Sequence, residues 1–276
     1  MSKLINLFSS EERKTVKHQN YFEVYDEYLN KYVDKKITFV EIGIANGGSL
    51  RVWKNYFKNA RIIGIDLNNK CKIFEEEGVE VIIGDQADTE FWKNFFKKIG
   101  KVDVIIDDGG HSNLQQIITT TECIPNINDG GILLIEDVMS SYMSSFDNPS
   151  KFSFINFSKK LIDDINFNDS SLGKFRFSLN KYIHAIKFFE GIVIFEINRS
   201  KILPNIEVDN NGKTLNIKDL RQDGIGNYEG FSLYIKEKAD YLKKIKIFIR
   251  IYKFFAFFFK FYKKFKNEKK YKNFFK

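Results

Sequence analysis

Cysteine, proline, histidine and tryptophan are all scarce: 276 residues hold two Cys, three Pro, three His and two Trp. Cys71 and Cys123 lie far apart and fit neither a disulfide framework nor a zinc spacing, so a stapled scaffold is excluded and a reducing compartment is expected. Both are expected as small buried apolar residues. The apolar patch Leu4 to Phe8 is short and runs into Glu11-Glu12-Arg13, so no secretory signal is read and a cytoplasmic location is expected. Few prolines beside abundant Lys, Asn, Ile and Phe reflect genomic base bias more than function.

What charge there is has an uneven distribution. The net +8 arises because residues 241–276 hold thirteen Lys or Arg against the single acid Glu268, a local net charge of +12, whereas residues 1–240 carry −4. Any claim about anionic partners is therefore a claim about the tail.

Along residues 1–36 a helical segment is expected, with Tyr21, Tyr25, Tyr28 and Tyr32 recurring at helical steps as a core-packing face. Strands and helices then alternate. Ile37 to Val40 is a strand ending at Glu41, and Arg61 to Ile65 a strand ending at Asp66. Val79 to Ile83 ends at Gly84-Asp85-Gln86, Val104 to Ile106 at Asp107-Asp108, and Gly131 to Ile135 at Glu136-Asp137. Helices are expected over 50–58, through Trp92 to Phe96, over 113–123 and over 151–167. Tyr182 to Phe189 and Ile192 to Glu196 form a hairpin around Glu190-Gly191, with His184 packed as a structural residue. This order predicts an α/β fold with a doubly wound, Rossmann-like sheet, mostly parallel with an antiparallel C-terminal hairpin. The expected parts are 1–36 (helical segment), 37–200 (sheet domain), 201–240 (polar extension) and 241–276 (basic aromatic tail).

All five parallel strands end in a carboxylate, and the carboxyl ends of parallel strands share one edge. Seven acids there repel one another unless a cationic ligand, hydroxyl donors or a metal satisfies them. Strand-end polar residues and helix N-caps account for two or three of them, but poorly for all five ends. The loop Gly43-Ile44-Ala45-Asn46-Gly47-Gly48 permits close backbone approach yet departs from G-x-G-x-x-G, and it follows an acid that a pyrophosphate would avoid. S-adenosylmethionine suits this pattern because it carries a sulfonium, an ammonium and a ribose diol, with no phosphate. Asp66 is placed for both ribose hydroxyls, and Asp85 with Gln86 for the adenine amine.

Residues Val40 to Leu50, Ile63-Gly64-Ile65-Asp66, Gly84-Asp85, Asp107-Asp108-Gly109-Gly110-His111 and Ile135-Glu136-Asp137-Val138 resemble the class I S-adenosylmethionine-dependent methyltransferases. Within that class they are similar to the metal-dependent sugar O-methyltransferases of the macrocin and mycinamicin type, over about residues 15–200. The resemblance implies Glu41, Gly43, Ala45, Asn46, Gly47, Ser49, Asp66, Asp85, Gln86 and Asp107 as the cofactor set, Asp108 and Asp137 as ligands of Mg²⁺ or another divalent metal, and His111 as general base. His18 and Tyr21 align with residues near the family's acceptor site. Tyr142, in a polar loop after the fifth strand, is placed to form part of the acceptor pocket. Where the family often carries a second His, this chain has Gln115. The chemistry is coherent, because a hydroxyl is a poor nucleophile at neutral pH that an oxygen-liganded cation and an imidazole can activate.

The tail interleaves aromatic and aliphatic residues with Lys246, Arg250, Lys253, Lys260 and Lys264 at near-helical steps. Its longest uncharged run, Phe254 to Phe259, is far short of the roughly 20 residues a bilayer requires. A basic amphipathic helix on an anionic membrane surface is expected, placing the protein on the inner face of the membrane. Docking on a protein partner or a second copy is the next reading, and nucleic acid the least favoured. The leading function is methylation of a hydroxyl on a sugar or glycan precursor, such as a bacterial surface polysaccharide. The alternatives are an RNA methyltransferase using the tail, and a non-catalytic scaffold that retains the fold.

Overall fold

A computed structural model describes residues 3–77, 79–146, 151–166, 178–203, 208–213 and 215, with Phe254, Phe258 and Lys272. The chain divides into two units, Met1–Ile206 and Glu207–Lys276. The first unit holds a seven-stranded sheet: β1 (Thr38–Ile42), β2 (Arg61–Asp66), β3 (Glu80–Ile83), β4 (Val102–Asp107), β5 (Ile127–Ile135), β6 (Ile183–Phe189) and β7 (Ile192–Ile197). Its order is β3-β2-β1-β4-β5-β7-β6; β1 to β5 run parallel and β7 is antiparallel to both its neighbours.

Strand composition explains the layers. Successive side chains on a strand point to opposite faces, and in β5 Ile132 and Leu134 enter one core while Leu133 and Ile135 enter the other. Each face is apolar, so each needs a helical cover. The helices α1 (Lys3–Ser9), α2 (Tyr21–Leu29) and α3 (Gly48–Tyr56) supply one, and α4 (Thr89–Ile99), α5 (Asn113–Cys123) and α6 (Phe154–Asn166) the other. Strand order reverses between β1 and β4, and that switch point is where open α/β sheets hold ligands.

Two expectations need correction. Residues 1–36 are not one helical segment: α1 stops at Ser9, residues 10–20 carry no helix, and α2 begins at Tyr21. The stretch Ser10 to Thr15 is polar, with no apolar period to pack, and its backbone instead crosses the start of α3, where a Cβ on Gly48 would lie 2.7 Å from the Arg13 carbonyl oxygen. The tyrosine face does hold: Tyr21, Tyr25, Tyr28 and Tyr32 are all buried, with Tyr32 in a 3₁₀ turn that continues α2. His184 lies exposed on the edge strand β6 rather than packed, because the pairing with β7 shifts register between Ile183 and Ala185 and leaves His184 out of it.

The turn at Asp147-Asn148-Pro149-Ser150 and most of residues 204–276 lie outside the described residues. Within the second unit Phe254 and Phe258 are helical, one turn apart, with ring centroids 4.7 Å from each other. Among the described residues, no helix is long and apolar enough to cross a membrane.

Candidate functional site

The carboxyl ends of β1, β2, β3 and β4 surround a cavity of about 470 Å³, a size suited to a small organic ligand. Gly43 and Ala45 from the loop after β1 line it, with Asp66 and Leu67 after β2, Gly84, Asp85 and Gln86 after β3, and Asp108 to His111 after β4. The glycine loop turns through left-handed backbone at Gly43, Ala45 and Gly47. Gly43 is required where it stands, since a Cβ there would lie 2.2 Å from the Asp108 carbonyl oxygen. Asn46, Gly47 and Ser49 do not line the cavity: Asn46 is exposed, Gly47 lies against Phe74, and Ser49 is buried.

Asp66 braces that loop. Its Oδ2 accepts from the amides of Ile44 and Ala45 at 3.1 Å each, and its Oδ1 from Asn68 at 2.8 Å. A carboxylate has about four acceptor positions, so one ribose hydroxyl can be added without breaking a bond, where two were expected. Gln86 is buried and holds the turn after β4: Nε2 donates to Asp107 at 2.9 Å and Oε1 accepts from the Gly110 amide at 2.9 Å. Asp107 lies under the cavity floor, and burial pushes its carboxyl above the ordinary range.

The seven strand-end acids therefore separate into two layers. Asp66, Asp85 and Asp108 face the cavity, and Asp137 stands beside His111. Glu41, Asp107 and Glu136 are fully buried beneath. Glu41 lies inside β1, buried and accepting from Ser49 Oγ at 2.8 Å and Trp53 Nε1 at 3.0 Å, and it is not among the residues lining the cavity. Burial raises its carboxyl, against the opposing effect of Lys17.

Lys17 is the residue that sequence reasoning missed. The non-helical segment before α2 inserts its ammonium among three acids, at 2.6 Å from Asp108 Oδ2, 3.0 Å from Glu136 Oε2 and 3.8 Å from Glu41 Oε1. Burial works against this charge, but the carboxylates outweigh it and hold the ammonium well above its ordinary value. Hydroxyls complete the arrangement: Tyr25 donates to Glu136 Oε1 at 2.5 Å and Tyr21 to Asp137 Oδ1 at 2.6 Å. Burial followed by the adjacent carboxylate raises both phenols. The excess of acids was itself the available signal, since it demanded a cation and hydroxyl donors; the chain supplies both.

At the cavity edge Asp108, His111 and Asp137 each present one ligand atom, all within 4.8 Å of one another. His111 Nε2 is 3.5 Å from Asp137 Oδ2 and 3.9 Å from Asp108 Oδ1. Left-handed backbone at His111 and Asp137 aims both side chains there. The carboxylates of Asp108 and Asp137 offer hard oxygen donors that suit a divalent cation such as Mg²⁺, so these residues fit the metal expected, with the His111 imidazole beside them. Tyr21 is buried and acts on Asp137 without lining the cavity, whereas His18 is exposed with Nε2 3.7 Å from Asp137 Oδ1. Tyr142 is exposed at the end of a 3₁₀ turn and does not line the cavity. Gln115 does line it, and also caps α5: its Oε1 accepts from the Ser112 amide while Ser112 Oγ accepts from the Gln115 amide.

Sheet order, glycine turn and acidic strand-end cavity together define the class I methyltransferase fold. Residues 13–144 match the FtsJ-like methyltransferase family. The chain is 31% identical over 156 residues to the 8-demethyl-8-alpha-L-rhamnosyl tetracenomycin-C 2'-O-methyltransferase of Streptomyces olivaceus, covering 52% of this chain and 41% of that protein. It is 33% identical over 129 residues to the mycinamicin VI 2''-O-methyltransferase of Micromonospora griseorubida, covering 44% and 32%. Among solved structures, the MycE methyltransferase of the mycinamycin biosynthetic pathway, in complex with Mg and SAH, superposes with a TM-score of 0.66 at 26% identity over 72% of this chain and 55% of that one. The chain spans less than half the length of these curated relatives.

Proposed function

We propose that this protein is an S-adenosylmethionine-dependent O-methyltransferase acting on a hydroxyl of a sugar or glycan precursor, with a divalent cation and a histidine base. The observation that carries this reading is the meeting of Asp108, His111 and Asp137 beside a cavity framed by the glycine loop and Asp66. The sugar as acceptor is supported by the relatives, one of them named as a 2'-O-methyltransferase of an alpha-L-rhamnosyl tetracenomycin and another as mycinamicin VI 2''-O-methyltransferase. Asp66, Asp85, Gln86, Gly43 and Ala45 would hold the methyl donor, and Asp108 with Asp137 the cation. A bound cation of this kind lowers the pKa of an oxygen it touches. His111 Nε2, at the same edge, accepts the hydroxyl proton as the oxygen takes the methyl group; such general-base assistance is worth about 10²–10⁴ in rate. Its other nitrogen, Nδ1, is buried without a hydrogen-bond partner, so Nε2 is the atom available.

The test is His111→Ala measured in two ways. As base, its loss lowers turnover by about 10²–10⁴-fold while calorimetry shows S-adenosylmethionine and Mg²⁺ still bound. Undiminished turnover overturns the assignment, and lost metal binding reassigns His111 as a ligand. Insensitivity of the wild type to EDTA would remove the metal from this reading. The basic tail motivates the finer proposal that the acceptor is a membrane-associated glycan intermediate, such as a surface polysaccharide precursor, reached from the inner membrane face.

A further inference from the structure

Adenine asks for partners of two kinds. Its exocyclic amine donates, whereas its ring nitrogens N1, N3 and N7 only accept, so carboxylates alone answer half of the base. Asp85 provides the accepting half: its Oδ1 takes the Ala87 amide at 2.8 Å, and a carboxylate has further acceptor positions. The Gln86 side chain cannot provide the donor. Its Nε2 is engaged with both oxygens of Asp107, at 2.9 and 3.0 Å, and with Thr119 Oγ1 at 3.2 Å, and its Oε1 with the Gly110 amide.

A second side-chain amide lines the same cavity. Gln115, in the first turn of α5, stands there with Gly84, Asp85, Gly109 and Gly110. It folds back over Gly110, where a Cβ would collide with both ends of its amide, so glycine at 110 is what lets the side chain lie there. The capping box decides which end is which. Oε1 accepts from the Ser112 amide at 3.1 Å, and the reversed amide would set two donors against each other. Nε2 is therefore the end left over. Among the described residues it donates to no protein acceptor.

We infer that Gln115 binds the adenine of the methyl donor, donating from Nε2 to a ring nitrogen while Asp85 accepts from the exocyclic amine. The inference rests on the cofactor reading proposed above. One side chain then has two tasks: its oxygen fixes the start of α5, and its nitrogen reads the base.

The full-length protein, without metal or acceptor, is titrated by calorimetry with S-adenosylhomocysteine and with its 1-deaza, 3-deaza and 7-deaza analogues, each of which replaces one ring nitrogen by C–H. One analogue is expected to bind the wild type about fivefold more weakly than the parent, the worth of one neutral hydrogen bond. Gln115→Glu keeps an oxygen for the Ser112 amide, and with it the capping box, but exchanges the donor for an acceptor. It is expected to bind S-adenosylhomocysteine at least about fivefold more weakly and to lose its discrimination against that analogue. The comparison isolates the contact, because a merely structural role would leave the ratio of parent to analogue the same in both proteins. Equal ratios overturn the inference and leave the cofactor reading standing. So does a wild type indifferent to all three analogues, whether or not the variant folds. A wild type that binds no S-adenosylhomocysteine overturns both.

Discussion

Gly43 bears the tightest approach in the site. Its φ of +83° and the 2.2 Å that would separate a Cβ from the Asp108 carbonyl oxygen mean that Gly43→Ala must push the turns after β1 and β4 apart. The expected loss is about 2–4 kcal/mol, combining the left-handed penalty with a backbone clash. Urea denaturation monitored by circular dichroism reads it, and a wild-type midpoint would show that these turns have room. Cys71 tests the same loop from below. Its thiol points at the Ala45 carbonyl oxygen, and burial with Asp66 pushes it up to about 11. Only about one molecule in a thousand then carries the thiolate at pH 8, and the thiolate is the reactive form. Neither Cys71 nor the wholly buried Cys123 should react with Ellman's reagent in the folded protein; prompt labelling of Cys71 would show that the loop opens.

Among the elements, α5 is the one whose start belongs to the site, because the turn that carries His111 leads directly into its capping box. Ser112→Ala removes the hydroxyl that caps the Gln115 amide and is expected to cost about 1 kcal/mol in chemical denaturation. An unchanged stability would mean that the packing of Asn113 and Gln116 suffices to fix the helix start. This box also gives Gln115 a purpose that its departure from the family pattern left open. The parallel strands were readable in sequence because strands covered on both faces are unbroken β-branched runs, and Asp108, His111 and Asp137 because short motifs stand at strand ends. The break at residues 10–20 was not, since its shape follows from what Lys17 must reach rather than from any local period. Glu41 stands one position inside its strand rather than at the end: β1 runs on to Ile42, so the acid meets Trp53 and Ser49. His184 fell outside the core because β6 shifts register at that position, and no local pattern announces such a shift.

Over the whole molecule, charge is partitioned by segment, with an acidic first part and thirteen basic side chains in residues 241–276. If the tail is an interfacial helix, the full chain should float with vesicles of anionic lipid and a 1–240 truncation should not, and raised salt should weaken flotation. Equal flotation of the two would exclude the membrane role. The Lys17 contact also sets an order of assembly. The lysine leaves the ribosome 91 residues ahead of Asp108 and 119 ahead of Glu136, at a rate of about 5–20 residues per second. For several seconds the nascent chain thus holds a lysine that cannot yet be desolvated, and the segment carrying it settles only after the acids it meets have been made.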